Sequence, residues 1–247
     1  MHALEPGAVG AAWRALAQAL PRPRAILVVS AHWDSDRPAL TGVAHPQTIY
    51  DFYGFPDPLY HLRYPAPGSA DLAGRARSLL AGAGIAAAID DRRGLDHGAW
   101  SILLHMFPSA DIPVVQLSLQ TALGPRHHYQ LGAALAPLAA EGVLLIGSGQ
   151  MTHNLREWGR SLDDSAAPYV IEFQAWVHDR IMARDHDAVI AYVRSAPHAV
   201  RAHPSDEHFM PLFFTLGAAG PGALPLRTYD AVEGSVLAMD VYTFTPA

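Results

Sequence analysis

The chain has 247 residues, half of them hydrophobic and 16% charged, with a formal net charge of −6 and no cysteine. That supplies a large core, and the absence of any basic run argues against a nucleic-acid partner. No apolar stretch reaches the roughly 18 residues of a membrane span, and no secretory leader is seen. Without cysteine there are no disulfides and no thiolate metal sites, which fits a cytoplasmic chain. Fourteen histidines remain, so a bound transition metal would have to use imidazole and carboxylate ligands.

In chain order, Trp13, Leu16 and Leu20 at helical spacing predict a helix over 9–20, stopped by Pro21 and Pro23. Ala25 to Ser30 is a continuous apolar run, the pattern of a strand buried on both faces, and it places His32 just beyond a strand end, where ligand groups collect in α/β sheets. Residues 42–68 read as a long loop rich in Pro, Gly and aromatics, including Tyr50, Tyr53 and Phe55. Long ordered loops in compact domains are usually functional, and these rings serve equally as a wall for a flat substrate or as a lid packed on the core.

A helix is expected over 70–83, a strand over 85–89, a loop over 94–100 and a helix over 101–107. A strand then covers 113–119, a helix bent near Pro137 covers 125–140, and a third buried strand covers 143–147. Helices follow over 168–183, 187–195 and 210–217, and closing strands over 224–247. Alternation of strand and helix makes this a single α/β domain, 1–247, with a mixed central sheet flanked by helices.

Four stretches carry chemistry. His32 ends the first strand and His97 lies in a Gly94–Trp100 loop beside Asp96, a neighbour that can orient it or point away. His153 follows Gly147-Ser-Gly149, where small residues allow a tight turn; it can be a ligand, an acid/base group or simply the start of a helix. The fourth, His203-Pro-Ser-Asp-Glu-His208-Phe, places two imidazoles and two carboxylates within six residues. If Pro204 opens a helix there, the turn of about 100° per residue sends Glu207 and His208 in different directions, and the acids also suit a helix start.

These motifs occur together in one family. Ser30-Ala-His-Trp33, His45-Pro-Gln-Thr-Ile-Tyr-Asp-Phe-Tyr-Gly-Phe-Pro56, Tyr64-Pro-Ala-Pro-Gly68, Gly94-Leu-Asp-His-Gly-Ala-Trp100, His153-Asn-Leu155 and the 203–209 motif stand in the order found in class III extradiol dioxygenases. Over nearly its whole length the chain resembles their DOPA-dioxygenase group, within the protocatechuate 4,5-dioxygenase catalytic-subunit superfamily. The resemblance implies one non-haem metal, Fe(II) for activity and Zn(II) in some isolated forms, and opening of a catechol ring with O2. It implies His32 and His208 as metal ligands and His153 as the acid/base histidine, with His97 and His203 lining the pocket. Tyr50 and Tyr53 are expected on the ring of the substrate. The implied partners are a small aromatic diol and O2, with no nucleic acid and no membrane, in a monomer or homodimer.

The chain departs from the family at its start. Members normally open with a strand ending in His-Gly-Ser-Pro, whose histidine is a ligand, and Met1-His-Ala-Leu-Glu-Pro-Gly7 resembles the family's residues just after that motif. The expectation is that this strand and ligand are absent, that His2 does not replace the ligand, and that sheet edges are exposed. Two other readings accompany ring cleavage: a metal-dependent hydrolase, and a non-catalytic member such as the superfamily's cell-motility mediator.

Overall fold

The first strand, β1 (Ala25–Asp34), is flanked by parallel neighbours on both sides and is buried over Ala25–Ala31. Its alternate residues feed two cores: Leu27 and Val29 face one, Ile26 and Val28 the other. A computed structural model describes residues 2–160 and 165–245; Met1 and residues 246–247 of the expected closing segment lie outside the described residues.

Before β1 comes helix α1 (Gly7–Ala19). After it come β2 (Ala39–Thr41), α2 (Ala70–Gly82), β3 (Ala88–Asp90), α3 (His97–Met106), β4 (Val114–Leu119), α4 (Gly124–Leu135), α5 (Pro137–Ala140) and β5 (Val143–Ser148). The remainder is α6 (Pro168–Met182), α7 (His186–Ile190), α8 (Tyr192–Ser195), α9 (Ala199–Ala202), α10 (Met210–Ala219), β6 (Leu224–Tyr229), β7 (Val232–Glu233), β8 (Leu237–Ala238) and β9 (Val241–Thr245). The main sheet has the order β3-β2-β4-β1-β5, with β2 antiparallel to β4 and the other pairs parallel, so it is mixed as expected. Residues of α2, α4, α6 and α10 cover one face; α3 and the 50–66 loop cover the other. The closing segment forms two short antiparallel pairs, β6–β9 and β7–β8.

Several expectations are corrected here. β1 runs through His32 to Asp34, but its pairing with β4 breaks register between Val29 and Asp34 and its pairing with β5 ends at Ser30. His32 is therefore inside the strand and past its regular ladder. The second correction is α3, which starts at His97 rather than four residues later, because the Asp96 side chain accepts the Ala99 N–H as an N-cap. No helix starts at Pro204: residues 204–209 form turns, and α10 begins at Met210 with Pro211 in its first turn. The expected 187–195 helix is broken at Ala191 into α7 and α8.

The third strand is not buried. Only Val143 of β5 is fully covered, and β5 pairs with β1 alone among the described residues. Along its outer edge runs a cavity of about 380 Å³, walled by Trp13 and Leu16 of α1, Leu212 and Thr215 of α10, and Tyr242 of β9.

Candidate active site

Four imidazoles meet where the β1 and β5 chains leave the sheet. His32 comes from the irregular tail of β1 and His97 from the first turn of α3. Gly98 allows that approach: a Cβ there would strike the Ser30 hydroxyl and the His32 ring. Their ring centroids lie 3.8 Å apart. His208 stands 4.9 Å from His32, at 81° to it. His153 stacks on His208, with centroids 3.4 Å apart and planes at 17°.

The His153 and His208 segments are joined through backbone. His153 donates its N–H to Ala202 O at 2.9 Å, and Gln150 donates to His208 O at 3.0 Å. Gly149 is required at this junction, since a Cβ would collide with the His208 carbonyl oxygen. The expected tight turn is thus a close approach between two chain segments.

Two carboxylates serve these rings. Asp51 faces both His97 and His32: its Oδ1 accepts the His97 backbone N–H at 3.0 Å and lies 3.0 Å from His97 Nδ1, while its Oδ2 is 3.7 Å from His32 Nδ1. Glu207 groups with His153 and His208, as Asp51 does with His32 and His97, at spacings that could hold a metal ion. Asp96 orients neither ring. It is fully buried, caps α3, and accepts from Gln116 Nε2 at 2.9 Å.

Burial dominates the electrostatics. It is the largest cause lowering His32, to about 4, with the His97 charge adding to it. Burial likewise depresses His208 well below its ordinary value and lowers His153, where Glu207 opposes the shift. All three are held in the neutral form, with lone pairs available to a cation or a proton. Burial pushes Asp51 up, but the hydrogen bond and charge of His97, with His32 adding to them, bring its carboxyl below the ordinary range.

The other expected residues lie at greater remove. His203 is 3% exposed, stacks on Phe209 with centroids 4.7 Å apart, and donates its Nε2–H to Met151 O at 2.9 Å. Tyr50 donates its hydroxyl to Leu62 O at 2.6 Å and packs on Trp100. Tyr53 is 91% exposed. Phe52, between them, is the loop aromatic that touches His97, edge-on at 5.3 Å. His2 is tied to Glu233 by its ring and to His105 by its carbonyl. Sequence reasoning passed over Asp51 and Phe52; the available signal was a carboxylate set among the rings of Tyr50, Phe52 and Tyr53.

Residues 9–233 match the family described as the catalytic LigB subunit of aromatic ring-opening dioxygenase. The chain belongs to the LigB family. Among LigB relatives, the chain is 45% identical to 4,5-DOPA dioxygenase extradiol of Beta vulgaris over 91% of this chain and 84% of that one. It is 37% identical to the protein of the same name in Escherichia coli (strain K12), over 98% and 90%. A crystal structure of an uncharacterized protein from Escherichia coli K12 superposes with a TM-score of 0.81 at 33% identity, covering 94% of this chain and 91% of that chain. LigB membership, with these relatives, makes the chain an extradiol ring-cleaving dioxygenase, of a kind that depends on a non-haem metal.

The donor set fits such a metal. It is all imidazole and carboxylate, and buried His208 Nδ1 and Asp51 Oδ2 have no hydrogen-bond partner. Such sets take iron or zinc, and two imidazoles with one carboxylate leave open positions for reactants. Among the described residues, no helix is long and apolar enough to cross a membrane.

Proposed function

We propose that the protein opens the ring of a DOPA-like catechol beside its two hydroxyls, using O2 and Fe(II), with Zn(II) able to occupy the same donors. The observation that carries this reading is the convergence of His32, His97, His153 and His208 from separate stretches of chain on one another, with neutral imidazoles favoured for His32, His153 and His208. His32 and His208, whose ring centroids lie 4.9 Å apart, would hold the metal; Glu207 lies within ligand reach of His208 and His153, and Asp51 of His32. When bound, the metal would supply a redox-active Lewis-acid centre with open positions for the diol and O2.

The chain's own groups do the rest. Neutral His153 takes a proton from a catechol hydroxyl as the diol binds, and returns one later when the ring opens. His97, fixed by Asp51, offers its Nε2 to the diol or to O2. Phe52 lies edge-on to His97 and limits how far the ring can slide. The other expected pocket residues act at one remove. Tyr50 buttresses Phe52, their rings 6.2 Å apart, His203 supports the Met151–His153 turn from behind, and Tyr53, exposed to solvent, would contribute only from the loop's outer side. The whole chain, 1–247, acts as one domain on a small diol, in the cytoplasm, as a monomer or homodimer.

Anaerobic loading with Fe(II), followed by oxygen uptake on a panel of catechols, tests this. The expected result is a yellow semialdehyde with one O2 consumed per catechol, and a fall of about 10²–10⁴-fold in rate for His153→Ala. Ester hydrolysis without oxygen uptake would replace this reading with the hydrolase.

A further inference from the structure

Asp51 is held with unusual care for a loop residue. The segment before it lies against the start of α3: Thr48 bridges Leu95 in parallel, Ile49 N donates to Leu95 O at 2.8 Å, and Leu95 N donates to Gln47 O at 2.8 Å. Trp100 Nε1 donates to Ile49 O at 2.8 Å. Gly94 lets the two backbones touch, since a Cβ there would strike Gln47 O. These contacts leave the Asp51 carboxylate between two imidazoles, with one oxygen toward each.

The two oxygens are not equivalent. Oδ1 accepts the His97 backbone N–H and lies 3.0 Å from His97 Nδ1, which is buried and has no other partner to set its hydrogen. Oδ2 is buried, has no hydrogen-bond partner, and faces His32 Nδ1 at 3.7 Å. A negative oxygen beside a ring nitrogen favours the tautomer that carries hydrogen there. Both rings are then Nδ1–H, and both lone pairs lie on Nε2. A histidine ligand is oriented in this way when its second nitrogen faces a carboxylate.

We infer that Asp51 is a positioning residue which sets His32 and His97 as Nδ1–H tautomers, presenting Nε2 of His32 to a divalent cation and Nε2 of His97 to the substrate. The inference rests on the metal-dependent reading above for its consequence, but the tautomers are a property of the chain alone.

Asp51→Asn discriminates, because its two oxygens have different partners. The His97 N–H keeps the amide oxygen at Oδ1, so the amide NH2 falls at Oδ2 and points hydrogen at His32 Nδ1. His32 should switch to the Nε2–H tautomer while His97 keeps its own. Nitrogen-15 NMR of the imidazoles in the metal-free full chain reads this directly. Zn(II) titration against a chelator should then show about 10–100-fold weaker binding, with Asp51→Glu recovering part of it and circular dichroism unchanged. Wild-type tautomers in Asp51→Asn would overturn the inference. So would complete loss of Zn(II) binding in both variants, which would make Asp51 a ligand. If the unaltered chain binds no Zn(II), the metal-dependent reading fails, and the NMR result still decides the role of Asp51.

Discussion

The two halves of the site are built on different principles. In the half formed by β1, α3 and the aromatic loop, His32 and His97 share a carboxylate, and the loop carrying it is pinned to α3 by main-chain and indole hydrogen bonds. In the half that follows β5, His153 and His208 lie ring on ring, and side chains tie their segments together from behind, His203 Nε2 to Met151 O and Asn154 Nδ2 to Arg201 O, while neither touches the two stacked rings and His208 Nδ1 is buried without a partner. The first half fixes ring orientation and the second fixes only chain position. On the proposed roles, His32 and His97 gain a set tautomer from this carboxylate, His153 is left free to exchange protons, and the other proposed ligand, His208, has no such partner on Nδ1.

The comparison breaks most sharply at its two glycines. Gly149→Ala drives a Cβ into the His208 carbonyl, where only backbone movement relieves it, and should cost about 1–3 kcal/mol in urea unfolding together with loss of bound Zn(II). Gly98→Ala meets the Ser30 hydroxyl and the His32 ring, which are side chains able to shift, so its stability cost should be the smaller of the two. The reverse order would mean the halves differ less than their contacts indicate.

Acid sharpens the contrast between stability and chemistry. Burial lowers His128 and His203 to about 4. The folded chain therefore binds fewer protons than the unfolded one between pH 6.5 and 4, and stability falls as pH drops through that window, by on the order of 3 kcal/mol per group. Above pH 6.5 the contribution is complete and flat. Urea midpoints taken at pH 7, 5.5 and 4.5 check this; a flat profile would mean these rings are hydrated. The smallest effect belongs to Tyr53→Ala, which should change stability by no more than about 0.5 kcal/mol because the side chain is 91% exposed. An unchanged KM for catechol would remove Tyr53 from the residues that meet the substrate.

Much of this was legible because it is written in local pattern. The apolar run at 25–30, the break at Pro137 and the alternation of strand and helix announce the layers, and the four histidine motifs announce the cleft. What was hidden depends on contacts distant in sequence. Burial of β5 could not be read from Val143-Leu-Leu-Ile-Gly147, because an apolar run looks the same whether one or both of its edges are paired. Asp51 could not be assigned to His97, 46 residues away, without the Thr48–Leu95 bridge. The start of α3 was legible in principle from the Asp96 cap, and taking the motif as a loop obscured it.

The bare edge of β5 bears on how this protein breathes. In a parallel ladder about half of a strand's amides point to each side, so about half of those in β5 have no strand partner among the described residues, although the strand lies beside the doubly paired β1. Amides of that kind exchange hydrogen through small local openings, whereas those of β1 wait for the whole sheet to part. The chain that leaves β5 leads directly through Gly149 to His153. Hydrogen exchange should therefore find the outer amides of β5 opening before those of β1, while the bonds of Gln150, Met151 and His153 to His208, Ala238 and Ala202 hold the turn that follows.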